Sequence, residues 1–356
     1  MMIINMEEKH LKWCERDYLI GLNMITGLGP QRIRTLLSHF SDIAQIWECS
    51  MEELASVPGI GRKIAQAILQ ERKEMDPITE QAWAAQHDAR IVTWFDLDYP
   101  HWLRDMPGAP PVLYCRGNLP SCLGVGIVGS RKATTCGKKQ AYHFAYTLAS
   151  YGIPIISGLA RGIDSQAHLG ALAAGGCTVA VLATPIHLVY PPENRNLAMQ
   201  ISRSGCLLTE FPSRSQVRPG NFPQRNRLIA AFSHGVLVVE AGIKSGTLST
   251  VDAALEFGRE VWAIPGDIAE PLRKGTHMLI KQGAGLVDSP DDILAHFPTF
   301  CQEHENQLDH YTRIVFKYYL QGYTPEEIVT KTGLSVQQVQ NSLTILELEG
   351  LLRTAP

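Results

Sequence analysis

Long apolar runs and cysteine pairs are missing from this sequence of 356 residues. No apolar run approaches the roughly 18–20 residues that a membrane span needs, so we expect no membrane partner. The eight cysteines include no C-x-x-C pair, which favours free thiols over a zinc knuckle or a disulfide framework. The first residues are interrupted by charges and lack a secretory apolar segment. We therefore expect a cytoplasmic protein.

The chain also lacks an overall positive charge, since its formal net charge is −3. That value conceals an asymmetry, because residues 119–290 hold 16 Lys and Arg against 10 Asp and Glu. Phosphate affinity depends on local clusters of cations, so a basic middle segment is compatible with nucleic-acid binding. The charge alone leaves open the alternative that this modest excess is only a solvated surface.

Catalytic constellations are missing as well. No Ser/His/Asp order and no His, Cys and Asp cluster with metal-ligand spacing stands out. The run Gly-Lys-Lys at 137–139 resembles the end of a Walker A loop, but Lys132 replaces the upstream glycine and the final Ser or Thr is absent. A G-x-G-x-x-G match at 124–129 falls inside a predicted strand, whereas a dinucleotide fingerprint follows its strand. We therefore predict no enzymatic activity, no catalytic residue, no metal and no cofactor.

Short apolar runs alternate with helical patterns through the middle of the chain. Candidate strands occupy residues 90–94, 124–128, 154–156, 178–182, 206–209, 236–239, 261–264 and 285–287. This alternation predicts an α/β core at residues 76–297 with a mostly parallel, doubly wound sheet. Ligands bind such sheets at the carboxyl ends of the strands.

Both ends of the chain are predicted to be helical. Residues 1–75 contain a pseudo-repeat of two G-x-G hairpins, at 27–29 and 59–61, and each hairpin precedes an amphipathic helix. The repeat resembles a tandem helix-hairpin-helix (SAM-like) unit that can hold phosphate, and a bundle used only for packing or protein contact is an equal alternative. Residues 298–356 resemble a winged helix-turn-helix. The recognition helix predicted there has no Lys or Arg, which favours protein contact over duplex reading.

Four loops, each after a predicted strand, carry the strongest functional signal. They lie at 129–132, 157–164, 222–227 and 240–247. Small residues let the backbone approach an anion, and the helix that follows adds N–H groups and a favourable dipole. Arginines in these loops suit phosphate, and a phenylalanine beside them suits base stacking. One such loop can be a structural turn, but four of them on one sheet edge suit a run of phosphates.

Six motifs together resemble the DprA (Smf) family of DNA-processing proteins. In chain order they are GIVGSRKAT, SGLARGIDSQAH, YPPEN, FPQRNRLIA, EAGIKSGTLSTVDAALEFGREVWAIPG and KGTHMLIKQGA. The resemblance spans roughly residues 99–287. It implies an extended Rossmann-like core and sequence-independent binding of single-stranded DNA. It also implies a homodimer that protects incoming DNA and loads RecA recombinase onto it during natural transformation.

The resemblance further implies DNA-binding residues. Phosphate contacts would come from Gly129, Ser130, Arg131, Ser157, Gly158, Arg225 and Asn226, with Phe222 against a base. Further candidates are Arg218, Arg227, Lys244, Ser245 and Gly246. One departure is the run Ala-Thr-Pro-Ile-His at 183–187, where Pro185 removes an N–H and argues against a phosphate contact.

An enzymatic alternative comes from the relatives of such a core. Rossmann-like nucleotide phosphoribohydrolases carry the motif P-G-G-x-G-T-x-x-E with a catalytic carboxylate. In this chain Gly246-Thr247 is followed by Leu-Ser-Thr, so the glutamate is missing. The sequence therefore favours a binding protein over a hydrolase.

Overall fold

A nine-stranded sheet lies at the centre of the chain, of which this computed structural model describes residues 13–104, 106–297, 309–320 and 323–348. The strands are β1 (Arg90–Thr93), β2 (Val112–Gly117), β3 (Gly124–Val128), β4 (Ile155–Ser157), β5 (Thr178–Val181), β6 (Cys206–Thr209), β7 (Ser233–Val238), β8 (Glu260–Ala263) and β9 (Gly285–Leu286). Their order is β1-β2-β6-β5-β4-β3-β7-β8-β9. Only the pairings of β2 with β1 and with β6 are antiparallel among the described strands. The sheet is mostly parallel, as predicted.

Helices cover both faces of this sheet. The described helices are α1 (Glu15–Met24), α2 (Pro30–His39), α3 (Ile43–Glu48), α4 (Met51–Ser56), α5 (Arg62–Glu71), α6 (Pro77–Gln86), α7 (His101–Arg104), α8 (Thr135–Ser150), α9 (Ile163–Ala173), α10 (Arg195–Ser204), α11 (Asn221–Ala231), α12 (Leu248–Glu256), α13 (Lys274–Lys281), α14 (Pro290–Leu294), α15 (His310–Leu320), α16 (Pro325–Thr332) and α17 (Val336–Leu348). Alternate residues of β7 face opposite layers, since Val236 packs with α11 to α13 while Leu237 packs with α8 and α9. In the described ranges, each helix is too short or too polar to be a membrane span.

The path of the chain through the sheet reverses beside β3. The chain runs from β3 through β4 and β5 to β6 along one half of the sheet, and then returns to place β7 on the other side of β3. Such a reversal is a topological switch point, where open α/β sheets bind their ligands. The loops that follow β3, β4, β5 and β7 therefore share one edge of the sheet.

Strand β2 was not predicted. The sequence pattern gave one strand for residues 76–119, whereas the structure has both β1 and β2 there. Residues 112–115 are buried on both faces between β1 and β6, so they form a continuous apolar run without alternation. A short apolar run of this kind does not distinguish a strand from other buried segments.

The N-terminal helices contain the predicted repeat. Gly27 and Gly59 both have a left-handed φ, of +78° and +79°, which favours glycine. Gly29 and Gly61 then serve as the N-caps of α2 and α5. The apolar side of this helical unit is continuous with the core over β2 and β6. The unit is therefore packed onto the half of the sheet that carries β4 to β6.

The C-terminal helices α15 to α17 have a small core of their own. Thr324 caps α16, and its hydroxyl accepts a hydrogen bond from Glu327 N at 3.3 Å. Gly333 ends that helix with a left-handed φ of +70°. The winged-helix resemblance makes residues 350–353 a candidate wing strand and residues 296–307 a candidate linker. The candidate wing strand and most of the candidate linker lie outside the described residues.

Candidate nucleic-acid interface

A pocket opens at the carboxyl edge of the sheet, beside the switch point. It is lined by Arg131 after β3, by Gly158, Ala160 and Arg161 after β4, by Tyr190 and Pro191 after β5, and by Phe222 and Arg225 of α11. The structure thus brings together four of the predicted residues, Arg131, Gly158, Phe222 and Arg225. The lining combines three arginines with two aromatic rings, which suits a ligand that carries phosphates and bases.

The guanidinium of Arg131 lies over the ring of Phe222. Its Cζ is 5.1 Å from the ring centroid, the geometry of a cation–π contact. Tyr190 meets Phe222 edge to face, with ring centroids 5.7 Å apart, and is 51% exposed. Arg131 is exposed as well. The charged group and the aromatic pair are therefore held together at the surface, where a phosphate and a neighbouring base can reach them.

Arg225 lies beneath this surface and is only 4% exposed. Its Nη1 donates to Gly158 O at 2.6 Å and also to Val181 O. A Cβ on residue 158 would lie 2.6 Å from the guanidinium, so glycine is required there. Burial lowers the pKa of Arg225 to about 10, which still leaves it charged near neutral pH. Arg225 therefore stabilises the chain at the ends of β4 and β5 by these hydrogen bonds, and it adds positive charge below the pocket.

The carboxylate of Asp164 accepts hydrogen bonds from two backbone amides of the loop after β4. Its Oδ2 accepts from Gly158 N at 3.1 Å and from Ala160 N at 3.3 Å. Burial raises the pKa of this carboxyl, against the opposing effect of Arg225. Asp164 lies in the first turn of α9, whose N-cap is Gly162. The amides predicted to hold an anion here are bonded within the protein.

Glu240 has the same role at the start of α8. It is fully buried, and its oxygens accept from Thr134 N at 2.9 Å and from Thr134 Oγ1 at 2.6 Å. Arg273 lies 3.5 Å away and balances the charge. A side chain at Gly137 would overlap the carboxylate, so an acidic group of the protein fills the place where a helix start would bind phosphate.

Similarity to known proteins agrees with this geometry. The family described as DNA recombination-mediator protein A matches residues 90–298, which include the pocket. The chain belongs to the DprA family. Residues 19–74 match a SAM-like helix-hairpin-helix tandem, and residues 322–356 match the DprA winged helix domain. These matches confirm the predicted family and the three-part fold class, and a role in DNA processing or recombination follows from them.

Relatives in the DprA family cover most of the chain. Protein Smf of Synechocystis sp. is 38% identical over 287 residues, which are 79% of this chain and 72% of the relative. The X-ray structure of DprA from Streptococcus pneumoniae has a TM-score of 0.68 at 33% identity and covers 79% of this chain and 98% of its own. DNA processing protein A of Helicobacter pylori, described for its single-stranded DNA binding mode, has a TM-score of 0.51 at 27% identity and covers 58% of this chain and 94% of its own.

Two predicted phosphate contacts of this DprA-family chain point inward. Ser157 is fully buried, and its hydroxyl donates to Ile127 O at 2.7 Å. The side-chain amide of Asn226 donates to Ser249 Oγ at 2.8 Å, while its Oδ1 accepts from Arg225 Nε at 3.1 Å. We correct the assignment of Ser157, because its buried hydroxyl joins β4 to β3. Asn226 is half-buried and joins α11 to α12, and as a phosphate contact it stays a prediction.

Arg227 also has a supporting position, on the far side of α11 from the pocket. It forms an ion pair with the buried carboxylate of Glu210 and donates to Gly108 O. The negative charge of Glu210 offsets the positive charge of Arg227, so Arg227 anchors α11, and as a phosphate contact it stays a prediction.

The remaining predicted contacts lie outside the pocket lining. Gly129 is buried below the first loop, and Ser130 N donates to Glu240 O at 2.7 Å. Arg218, Lys244 and Gly246 are exposed, and the hydroxyl of Ser245 accepts from Thr247 N at 3.2 Å within the turn after β7. As DNA contacts, these six residues stay predictions.

Two pocket residues were missed, although the quoted motifs contain them. Arg161 forms an ion pair with Glu193 of the YPPEN motif, with Nη2 at 3.0 Å from Oε2. Tyr190 opens the same motif and stands against Phe222. The signal was available, because Arg161 is a cation in the glycine-rich loop after β4 and Tyr190 is an aromatic residue after β5.

The unusual loop at 183–187 packs towards the helical unit. The ring of His187 lies 5.1 Å from that of Trp83 and 5.5 Å from that of His87, both at α6. Burial and the nearby His87 lower the pKa of His187. This loop therefore packs against α6, the first helix after the helical unit, just before the chain reaches Tyr190.

Proposed function

We propose that this protein binds single-stranded DNA, without sequence preference, at the pocket formed by Arg131, Arg161, Tyr190 and Phe222. The observation that carries the proposal is the cation–π contact of Arg131 with Phe222 at an open sheet edge. A guanidinium binds any phosphate, and a ring stacks on any base, worth about 1–3 kcal/mol per base. The single-stranded DNA binding mode described for the Helicobacter pylori relative supports the proposal.

We further propose that binding proceeds without turnover. The residues that line the pocket include no carboxylate that could act as a general base. Glu240, the carboxylate at the end of β7, is turned away into its contacts with Thr134 and Arg273. These arrangements argue against the phosphoribohydrolase alternative. From the family membership we propose that the protein protects incoming DNA and passes it to RecA during transformation.

The test is fluorescence anisotropy with labelled oligo-dT, oligo-dC and a duplex. We expect similar affinities for the two single strands, weaker binding of the duplex, and a linear loss of log affinity with log salt. No base should be released from nucleoside monophosphates. Adding RecA to the bound strand should speed filament assembly relative to the naked strand. Release of base, or a preference for duplex, would contradict the proposal.

We propose a homodimer that pairs through β9. This strand ends the described sheet, and its Leu286 is 53% exposed. Leu255 of α12 and Ile268 after β8 are also exposed, so the adjoining segments are apolar too. An apolar edge strand is a surface for pairing with another chain.

Light scattering should therefore give the mass of two chains for the wild type and of one chain for Leu286→Asp. The control is Ile78→Asp on α6, which is equally exposed at 53% and should leave the dimer intact. A single-chain mass for the wild type at all concentrations would contradict the dimer.

A further inference from the structure

A groove of about 650 Å³ lies between the glycine hairpins of the helical unit and α11. Gln31, Arg32 and Thr35 of α2 contribute to one wall, and Gln224 and Arg227 of α11 to the other. The residues that line the groove include two arginines and no carboxylate. The groove is therefore polar and open to an anionic ligand.

Arg32 is the cation that this groove presents to a ligand. Its side chain is exposed, and its Nη1 donates to Gly27 O at 2.7 Å while Nε reaches Gly59 O at 3.4 Å. Because a guanidinium has five N–H donors, these two contacts orient the group and leave donors for a ligand. The charge of Arg227 is offset by Glu210, so the attraction for an anion comes from Arg32.

Helix α11 connects this groove to the Arg131–Phe222 pocket. Phe222 lies in the pocket, whereas Gln224 and Arg227 lie in the groove. At 1.5 Å of rise per residue, Phe222 and Arg227 are about 8 Å apart along the helix axis. Arg218, which is exposed, precedes the same helix. A chain bound in the pocket can thus reach the groove across about one and a half turns of helix.

We propose that a single strand held at Arg131 and Phe222 continues over the first turns of α11 into this groove, where a phosphate contacts Arg32. The inference rests on the proposed function and extends it. The helical unit becomes a second contact for the strand and not only a packing element. A polyanion with regularly spaced charges fits this arrangement because Arg131 and Arg161 lie in the pocket and Arg32 lies in the groove.

The test compares the full-length wild type with Arg32→Gln on two lengths of oligo-dT, one of about 5 and one of about 20 nucleotides. We expect Arg32→Gln to lower the affinity for the long strand by about 3- to 10-fold, and to reduce its salt slope by about 0.7, as loss of one phosphate contact requires. The short strand, which fills only the pocket, should bind as before. The control is Lys73→Gln, which removes one exposed charge beyond the opposite end of α5.

A second variant, Gln31→Glu, adds a negative charge to the groove without touching the hairpin contacts of Arg32, and it should weaken the long strand in the same way. Unchanged long-strand affinity in both folded variants overturns the inference. Equal losses on both lengths also overturn it, since they place the effect at the pocket. If the wild type binds neither strand, the proposed function fails, whereas a wild type that binds both strands with no effect of either variant defeats this inference alone.

Discussion

Arg131→Ala is expected to lower the affinity for oligo-dT by about tenfold or more. A hydrogen bond to a charged group contributes about 1.5–3 kcal/mol, and about 1.4 kcal/mol is a factor of ten in affinity. The substitution removes the exposed guanidinium and also the group that lies 5.1 Å above the ring of Phe222. The slope of log affinity against log salt should fall by about 0.7, because one phosphate contact is lost.

Two further variants make this result specific to the pocket. Arg131→Lys keeps the charge but loses the planar group that stacks on Phe222, so we expect a partial loss of affinity. Arg203→Ala removes an exposed arginine near the end of α10, which leads the chain back to the opposite edge of the sheet, and it should have little effect. A folded Arg131→Ala protein with wild-type affinity and salt slope would remove the basis of the proposed site.

The sequence was sufficient to predict the pocket at Arg131 and Phe222. Arg131 follows the buried strand β3, Phe222 opens the helix that comes after β6, and parallel strands bring their carboxyl ends to one edge of a sheet. The sequence did not show which of the predicted arginines is exposed and which is buried. Arg131 and Arg225 were both predicted to lie in loops, but residues 222–227 belong to α11. Arg225 is nearly enclosed there because Gly158 O and Val181 O accept hydrogen bonds from it.

The spacing of motifs in the sequence also could not show which groups at this edge are free to bind an anion. Glycine-rich loops before helices indicate free amides, and here Asp164 and Glu240 accept from groups at two of these sites. Both carboxylates are near or at full burial. The partners of Asp164 lie four and six residues earlier in the chain, whereas Thr134 lies 106 residues from Glu240, so only tertiary structure reveals the second pairing. The consequence is that these three amides are bonded within the protein, while exposed arginine side chains remain to attract phosphate at this edge.

Glu240→Ala is expected to lower the free energy of unfolding by about 3–5 kcal/mol, because it leaves Arg273 as an uncompensated buried charge. Arg273 is 4% exposed and its other bonds, to Val239 O at 2.7 Å and Gln140 Oε1 at 2.5 Å, are to neutral acceptors. The hydroxyl and amide of Thr134 at the start of α8 lose their acceptor as well. At about 2–4 °C per kcal/mol for a domain of this size, the Tm should fall by about 10 °C.

The control is thermal denaturation of Glu193→Ala, which compares loss of the buried Glu240–Arg273 ion pair with loss of an exposed ion pair. Glu193 pairs with Arg161 at the surface, where water and salt screen the interaction, so its removal should leave the Tm unchanged. Glu240→Gln, which keeps the shape and an acceptor for Thr134 but not the charge, should fall between the two. If Glu240→Ala had the same Tm as Glu193→Ala, the carboxylate of Glu240 would not be the group that holds α8 to β7. The start of α8 would then be free to bind phosphate itself.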